Sequence, residues 1–255
     1  MINLIFDVDD TLYNQLTPFY TAYNKVFSSI KDISIEDLYM SSRKYSDKVF
    51  HMTENGEMPI KEMHIYRIMK AFEELGNSIT EKDAQSFQDE YIYQQSQITL
   101  IPEVERILNF SKERNINLGI ITNGPSNHQR MKLKQLNIEN WVDKSNIFIS
   151  SEVGFSKPDT NIFRVAENVM NLDRENTYYV GDSYRNDVLG AKKAGWKSIW
   201  LNHRGHEVEE LFYKPDFVIL EHKDLISLFI KICSKKMLII ELYKIINNNY
   251  IKLYV

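Results

Sequence analysis

Ile2-Asn3-Leu4-Ile5-Phe6-Asp7-Val8-Asp9-Asp10-Thr11 is a short apolar run that ends abruptly in an acidic turn. A run of this length, bounded by a turn, fits a strand buried on both faces. In open α/β sheets chemistry collects at the carboxyl ends of such strands. Outward from it the pattern turns helical at Thr17-Pro18, with Phe19, Ala22, Tyr23, Val26, Phe27 and Ile30 at helical spacing. Thr17 is the expected N-cap there and Pro18 the first helical residue. A second helix is expected from Ser34, with Asp37 three residues on. A third carries Ile65, Ile68, Met69, Phe72 and Leu75 and stops at Gly76, and a fourth opens at Thr80 with Ala84, Phe87 and Tyr91 inward.

After Ile101-Pro102 short apolar strands alternate with amphipathic helices. The strands fall at about 118–121, 147–149, 177–180, 198–201 and 217–220, with helices between them and a last one near 224–232. Such alternation implies βαβ units and a parallel sheet covered on both faces, to which the first strand belongs. The expected class is α/β, a doubly wound parallel sheet formed by residues 1–16 and 97–232. An all-helical insert at 17–96 interrupts it. An extension over 233–255, rich in Ile, Asn, Lys and Tyr, has helical potential to about Ile246 and no readable motif.

A chain of 255 residues accommodates one large domain or two modest ones. With 43% hydrophobic and 26% charged residues it is neither disordered, collagen-like nor a coiled coil. Lys plus Arg total 31 against 35 Asp plus Glu, so no basic field gathers nucleic acid or anionic lipid. Any anionic substrate must be held by local chemistry. The lone Cys233 can form no internal disulfide and has no zinc-ligand spacing around it. The start lacks a signal-peptide pattern, and no segment approaches the roughly 18 uncharged apolar residues of a membrane span. A cytoplasmic protein with no membrane or nucleic-acid partner is expected.

Four strand ends carry candidate chemistry. Asp7 and Asp9 project to the same side of an extended backbone. Two acids at one strand end are tolerated when one is protonated or a cation sits between them, and hard oxygen ligands favour Mg²⁺; capping of the strand end by Asx turns is the ordinary alternative. Thr122-Asn123-Gly124 brings a hydroxyl, an amide and a backbone N–H to another strand end, which suits phosphate oxygens, though Asn-Gly is also common turn chemistry. Lys157, in Ser156-Lys157-Pro158-Asp159, stands just outside the helix running to Met170, with Pro158 expected in its first turn, where a cation is unfavourable without an anionic partner. Gly181-Asp182 closes a buried strand, and Asp187 follows at the start of the next helix.

Together these four segments resemble the haloacid dehalogenase superfamily in order and strand context. The resemblance spans about residues 1–16 and 97–232 and points to the helical-capped branch of nucleotidases, phosphoglycolate and sugar-phosphate phosphatases and β-phosphoglucomutases. It implies a Rossmann-like core of strand order 5-4-1-2-3 with a helical cap after the first strand. It further implies that Asp7 is the nucleophile and becomes an aspartyl-phosphate, while Asp9 protonates the leaving alcohol and then activates water. Mg²⁺ would be held by Asp7, the main-chain carbonyl of Asp9 and Asp182. Thr122 and Lys157 would bind the phosphoryl group, Asn123 and Gly124 would line its pocket, Asp187 would order Lys157 or a metal-bound water, and Thr11 would brace the first loop.

Dehalogenases with the same nucleophile lack an acid at the position of Asp9, so its presence favours a small-molecule phosphate ester. Mutase chemistry and a non-enzymatic receiver-like regulator are the alternatives. Arg43, Lys48, His51 and Arg67, with Tyr39, Tyr45, Phe50 and Tyr66, are cap residues within reach of a leaving group. The loop from His51 to Pro59 is the expected specificity loop, and hinges are expected at 12–17 and 96–101. Abundant cap aromatics favour a nucleoside monophosphate, with a sugar phosphate next.

Overall fold

The computed structural model describes residues 2–208 and 212–234. In chain order these form β1 (Asn3–Phe6), α1 (Leu16–Val26), α2 (Ile35–Glu54), α3 (Ile60–Glu74), α4 (Glu81–Gln95), α5 (Pro102–Glu113), β2 (Asn117–Thr122) and α6 (Ser126–Gln135). They continue with β3 (Ile147–Ile149), α7 (Ser150–Val153), α8 (Thr160–Met170), β4 (Thr177–Gly181), a π-helical turn (Tyr184–Val188), α9 (Leu189–Lys193), β5 (Lys197–Leu201), β6 (Phe217–Ile219) and a helix over 222–234. The C-terminal extension from residue 235 lies outside the described residues. Among those described, no helix is long and apolar enough to cross a membrane.

The chain divides into two compact units, one formed by residues up to Tyr13 and from Leu100 onward, the other Asn14–Thr99. In the first, six strands lie in the order β3-β2-β1-β4-β5-β6, and every adjacent pair is parallel. The alternation of strand and helix dictates this arrangement, because parallel neighbours need crossover connections and these cover both faces. All four residues of β1 are buried. Around it Ile5, Ile121, Phe148, Phe163, Tyr179 and Trp196 form one apolar cluster, each such side chain contributing roughly 1.5–3 kcal/mol. The two crossings between units are tied together inside the sheet unit, where Ile101 N–H donates to the Leu12 carbonyl at 2.9 Å.

The helical unit buries its aromatic stripe on itself. Phe19, Tyr23, Phe27, Phe72, Phe87 and Tyr91 share one core, with Phe19 edge-on to Phe87 at 5.0 Å between centroids. Ser34 caps α2 by accepting from Asp37 N–H, and Thr80 and Asp83 form a reciprocal capping box at α4.

Three helix starts differ from expectation. α1 begins at Leu16 with Gln15 as N-cap, so Thr17 is already helical; Asn14 Oδ1 accepts the Leu16 N–H and fixes the earlier start. α8 begins at Thr160, because the Asp159 carboxylate caps Asn161 N–H and leaves Pro158 ahead of the helix. Asp187 lies within the π-helical turn instead of opening α9, since it bonds back to Ser183 N–H at 2.9 Å. The expected loop from His51 is also shorter, because α2 runs to Glu54 before turning at Asn55 and Gly56.

Candidate active site

Strand register sets the site. Phe6 is level with Ile120 on β2 and with Val180 on β4, and Asp7 N–H extends the second ladder by donating to the Val180 carbonyl at 2.9 Å. Asp7 therefore emerges between the ends of β2 and β4, beside Thr122 on one side and Gly181-Asp182 on the other. Asp7, Asp182 and Asp187 each offer a carboxylate oxygen within 4.8 Å of the others. Three hard oxygen donors in a largely buried cluster fit Mg²⁺ better than a softer metal, and of the set expected for it, Asp7 and Asp182 are brought together here with Asp187.

Lys157 is buried at the centre of this group. Its ammonium donates to Asp7 Oδ1 at 2.6 Å, to Asp187 Oδ1 at 2.7 Å and to the Tyr179 hydroxyl at 2.9 Å. An ammonium has three hydrogens, so the phosphoryl contact expected of Lys157 requires one of these bonds to be exchanged. Burial disfavours its charge, but Asp187 and Asp7 outweigh burial and hold its pKa well above normal. Asp7 shows the converse balance. Burial, helped by Asp187 and Asp9, pushes its pKa up to about 7 even though Lys157 pulls it down. A cation among these acids would relieve that penalty.

The Thr122 hydroxyl is buried and makes no hydrogen bond to any described residue. A buried hydroxyl left unpaired costs about 1–3 kcal/mol, so a ligand acceptor or donor at this strand end has a partner waiting. Asn123 is differently engaged. Its Oδ1 accepts Lys157 N–H at 2.8 Å and its Nδ2 donates to the Lys157 carbonyl at 2.9 Å, so it clamps the lysine's main chain. Gly124 N–H, expected to face phosphate, donates to Ser150 Oγ at 2.9 Å. In the first loop Thr11, expected as its brace, has its Oγ1 buried without a partner among the described residues, whereas Asp10, at φ 57°, is paired through both oxygens with Arg204.

Asp9 is held from α6 and from its own loop. Its carboxylate accepts from the Tyr13 hydroxyl, from Gln129 Nε2 at 3.0 Å and from Lys132 Nζ at 2.6 and 2.9 Å. Burial opposes its charge, yet the Lys132 ion pair and these hydrogen bonds hold its pKa well below the usual carboxylate range. Tyr13, Gln129, Lys132 and Tyr179 carry no signal in the strand-end motifs. The one trace is on α6, where Gln129 and Lys132, three residues apart on one face, are buried. Of the cap candidates, Arg67 is buried and donates to Gln88 at 3.0 Å, while Tyr39 donates to Gln15 at 2.9 Å.

Gly181 is required by this packing. A Cβ there would fall inside van der Waals contact with the Asp187 carboxylate. Gly181→Ala is therefore expected to displace Asp187 from Lys157, costing about 1–3 kcal/mol in a denaturant titration and roughly tenfold or more in turnover.

A family model described as haloacid dehalogenase-like hydrolase matches residues 4–201. A phosphoserine phosphatase of Thermus thermophilus is 32% identical over 147 residues, 58% of this chain and 57% of that protein. The pyrimidine 5'-nucleotidase YjjG of Escherichia coli is 37% identical over 113 residues, 44% of this chain and 49% of that protein. The chain thus spans about half the length of these curated relatives. Among solved structures, the HAD-hydrolase YfnB of Bacillus subtilis bound to magnesium superposes with a TM-score of 0.67 at 23% identity, covering 89% of this chain and 97% of that one.

Proposed function

Since the chain belongs to the haloacid dehalogenase-like hydrolases, we propose that it is a Mg²⁺-dependent phosphatase that hydrolyses a small-molecule phosphate monoester through an aspartyl-phosphate on Asp7. The observation that carries this reading is Asp7 itself, tied by Lys157 to Asp187 at 2.6 and 2.7 Å and clustered with Asp182 at adjoining strand ends. Asp7 would attack phosphorus through a carboxylate oxygen while the ester oxygen leaves, taking a proton that Asp9, ionised beside Lys132 in the free site, would first accept from the monoanion of the phosphate ester. Water would then attack the acyl phosphate, giving its proton back to Asp9 and releasing inorganic phosphate and the free Asp7 carboxylate. Asp7, Asp182 and the main-chain carbonyl of Asp9 would hold Mg²⁺, which supplies charge neutralisation between an anionic nucleophile and an anionic phosphoryl group. Lys157 positions and neutralises Asp7, and the Thr122 hydroxyl receives a phosphoryl oxygen.

A nucleoside monophosphate is the substrate class to try first, because a relative at 37% identity is a pyrimidine 5'-nucleotidase; phosphoserine follows from the Thermus relative. The test is inorganic phosphate release from nucleoside monophosphates, phosphoserine, sugar phosphates, phosphoglycolate and an aryl phosphate, each with Mg²⁺ and with a chelator. Mg²⁺-dependent release from at least one is expected. No release from any of them by folded protein would overturn the proposal, and conversion of a sugar phosphate to an isomer without free phosphate would replace it with a mutase.

A further inference from the structure

Lys132 is the least expected charge in the sheet unit. It sits on α6, is 2% exposed and spends its ammonium on both oxygens of Asp9, at 2.6 and 2.9 Å. Burying a lysine costs several kcal/mol before any partner is found, and a well-packed apolar residue in its place is often neutral or stabilising. Stability alone therefore does not account for it. One turn earlier on the same helix, Gln129 Nε2 is shared between Asp9 Oδ2 at 3.0 Å and the Asn123 carbonyl at 2.9 Å. Its Oε1 is left buried and without a partner among the described residues. Gln129 thus joins the Asp9 loop to the Thr122-Asn123 strand end. The amide and the ammonium fix the carboxylate on a helix, the Tyr13 hydroxyl adds a donor from the loop itself, and a group held on rigid elements keeps its geometry better than one on a loop.

We infer that Lys132, with Gln129 in support, is the positioning residue for Asp9: it sets where the acid/base carboxylate stands relative to the phosphoryl group and does not itself touch substrate. This rests on the proposed role of Asp9. Proton transfer by a placed side chain contributes about 10²–10⁴-fold, and a displacement of about 1 Å can cost about 10²-fold. Removing the lysine should then lower turnover by roughly 10–100-fold while KM stays put.

The experiment is a double-mutant cycle on the full chain, using whichever phosphate ester gives the best release with Mg²⁺. Lys132→Met, Asp9→Asn and the double variant are compared for kcat and KM, with Lys132→Arg as the conservative replacement and an unfolding curve for each. Lys132→Met is expected to lose kcat in the wild-type background and to lose nothing further when Asp9 is already Asn, with part of the loss restored by Arg. If Lys132→Met costs the same factor in both backgrounds, or raises KM alone, the positioning role is wrong while the role of Asp9 stands. If Asp9→Asn turns over at the wild-type rate, the acid/base reading itself has failed. Should Lys132→Met not fold, Gln129→Leu is carried through the same cycle, with a smaller loss confined to the Asp9 background as the expected result and an equal loss in both as the contrary one.

Discussion

Asp7→Asn is expected to lower phosphate release by roughly four orders of magnitude or more, the scale on which removal of a covalent nucleophile acts, and to leave the protein at least as stable as before. The second half of that expectation follows from burial. Burial, with Asp187 and Asp9 beside it, drives the Asp7 carboxylate up to about 7 against the pull of Lys157. An amide of the same shape carries no charge to bury. Lys157 meanwhile keeps Asp187 and the Tyr179 hydroxyl, at 2.7 and 2.9 Å, as partners. A urea titration in chelator is therefore expected to show a midpoint no lower than that of the wild type. Loss of activity accompanied by a collapse of the midpoint would mean that Asp7 matters to the fold and not to the chemistry.

Lys157→Met is expected to abolish activity too, but with the opposite effect on stability. Removing the ammonium that, among the described residues, bonds both Asp7 and Asp187 leaves two buried carboxylates facing each other, and breaking a buried pair by deleting one partner costs about 3–5 kcal/mol. The same urea titration reads that loss directly. A variant that unfolds at the wild-type midpoint would show that the acids find other compensation, and the central place given to Lys157 would fall. The pair of substitutions thus separates two roles that look alike in an activity assay.

The sheet and the acidic strand ends are legible in the chain because each is local. Ile2–Phe6 followed by acids, Leu118–Ile121 followed by Thr-Asn-Gly, and Thr177–Val180 followed by Gly-Asp each announce a buried strand and its exit, and a doubly wound sheet gathers such exits at one edge. The register then does the rest, bringing Asp7 level with Gly181. What stays hidden depends on contacts distant in sequence. Lys132 and Gln129 are residue types that usually face solvent from a helix, and only the packing of α6 beside Asp9 turns that face inward. Tyr179 reads as an ordinary core aromatic until its hydroxyl is found donating to the Ile121 carbonyl at 2.7 Å and accepting from Lys157. Asn123 and Gly124 were legible as a strand end but not in their use, because Ser150 and Lys157, which take their hydrogen-bonding groups, lie 26 and 34 residues away. The helix starts at Leu16 and Thr160 depart from the expected ones for a simpler reason. Asn14 accepts the Leu16 N–H and Asp159 the Asn161 N–H, and local sequence does not rank these short acceptors against Thr17 or Pro158.

The single bond from Ile101 N–H to the Leu12 carbonyl also bears on how such a chain can change over generations. It makes the whole of Asn14–Thr99, from the standpoint of the sheet, one closed loop whose two ends are stapled at a fixed point. The entropy of closing a loop grows only with the logarithm of its length, about 0.6 kcal/mol for each doubling. Insertions, deletions or wholesale exchange of the helices between those ends therefore add little to the cost of closing that loop, and they leave Asp7, Thr122 and Lys157, all in the sheet unit, outside the exchanged segment.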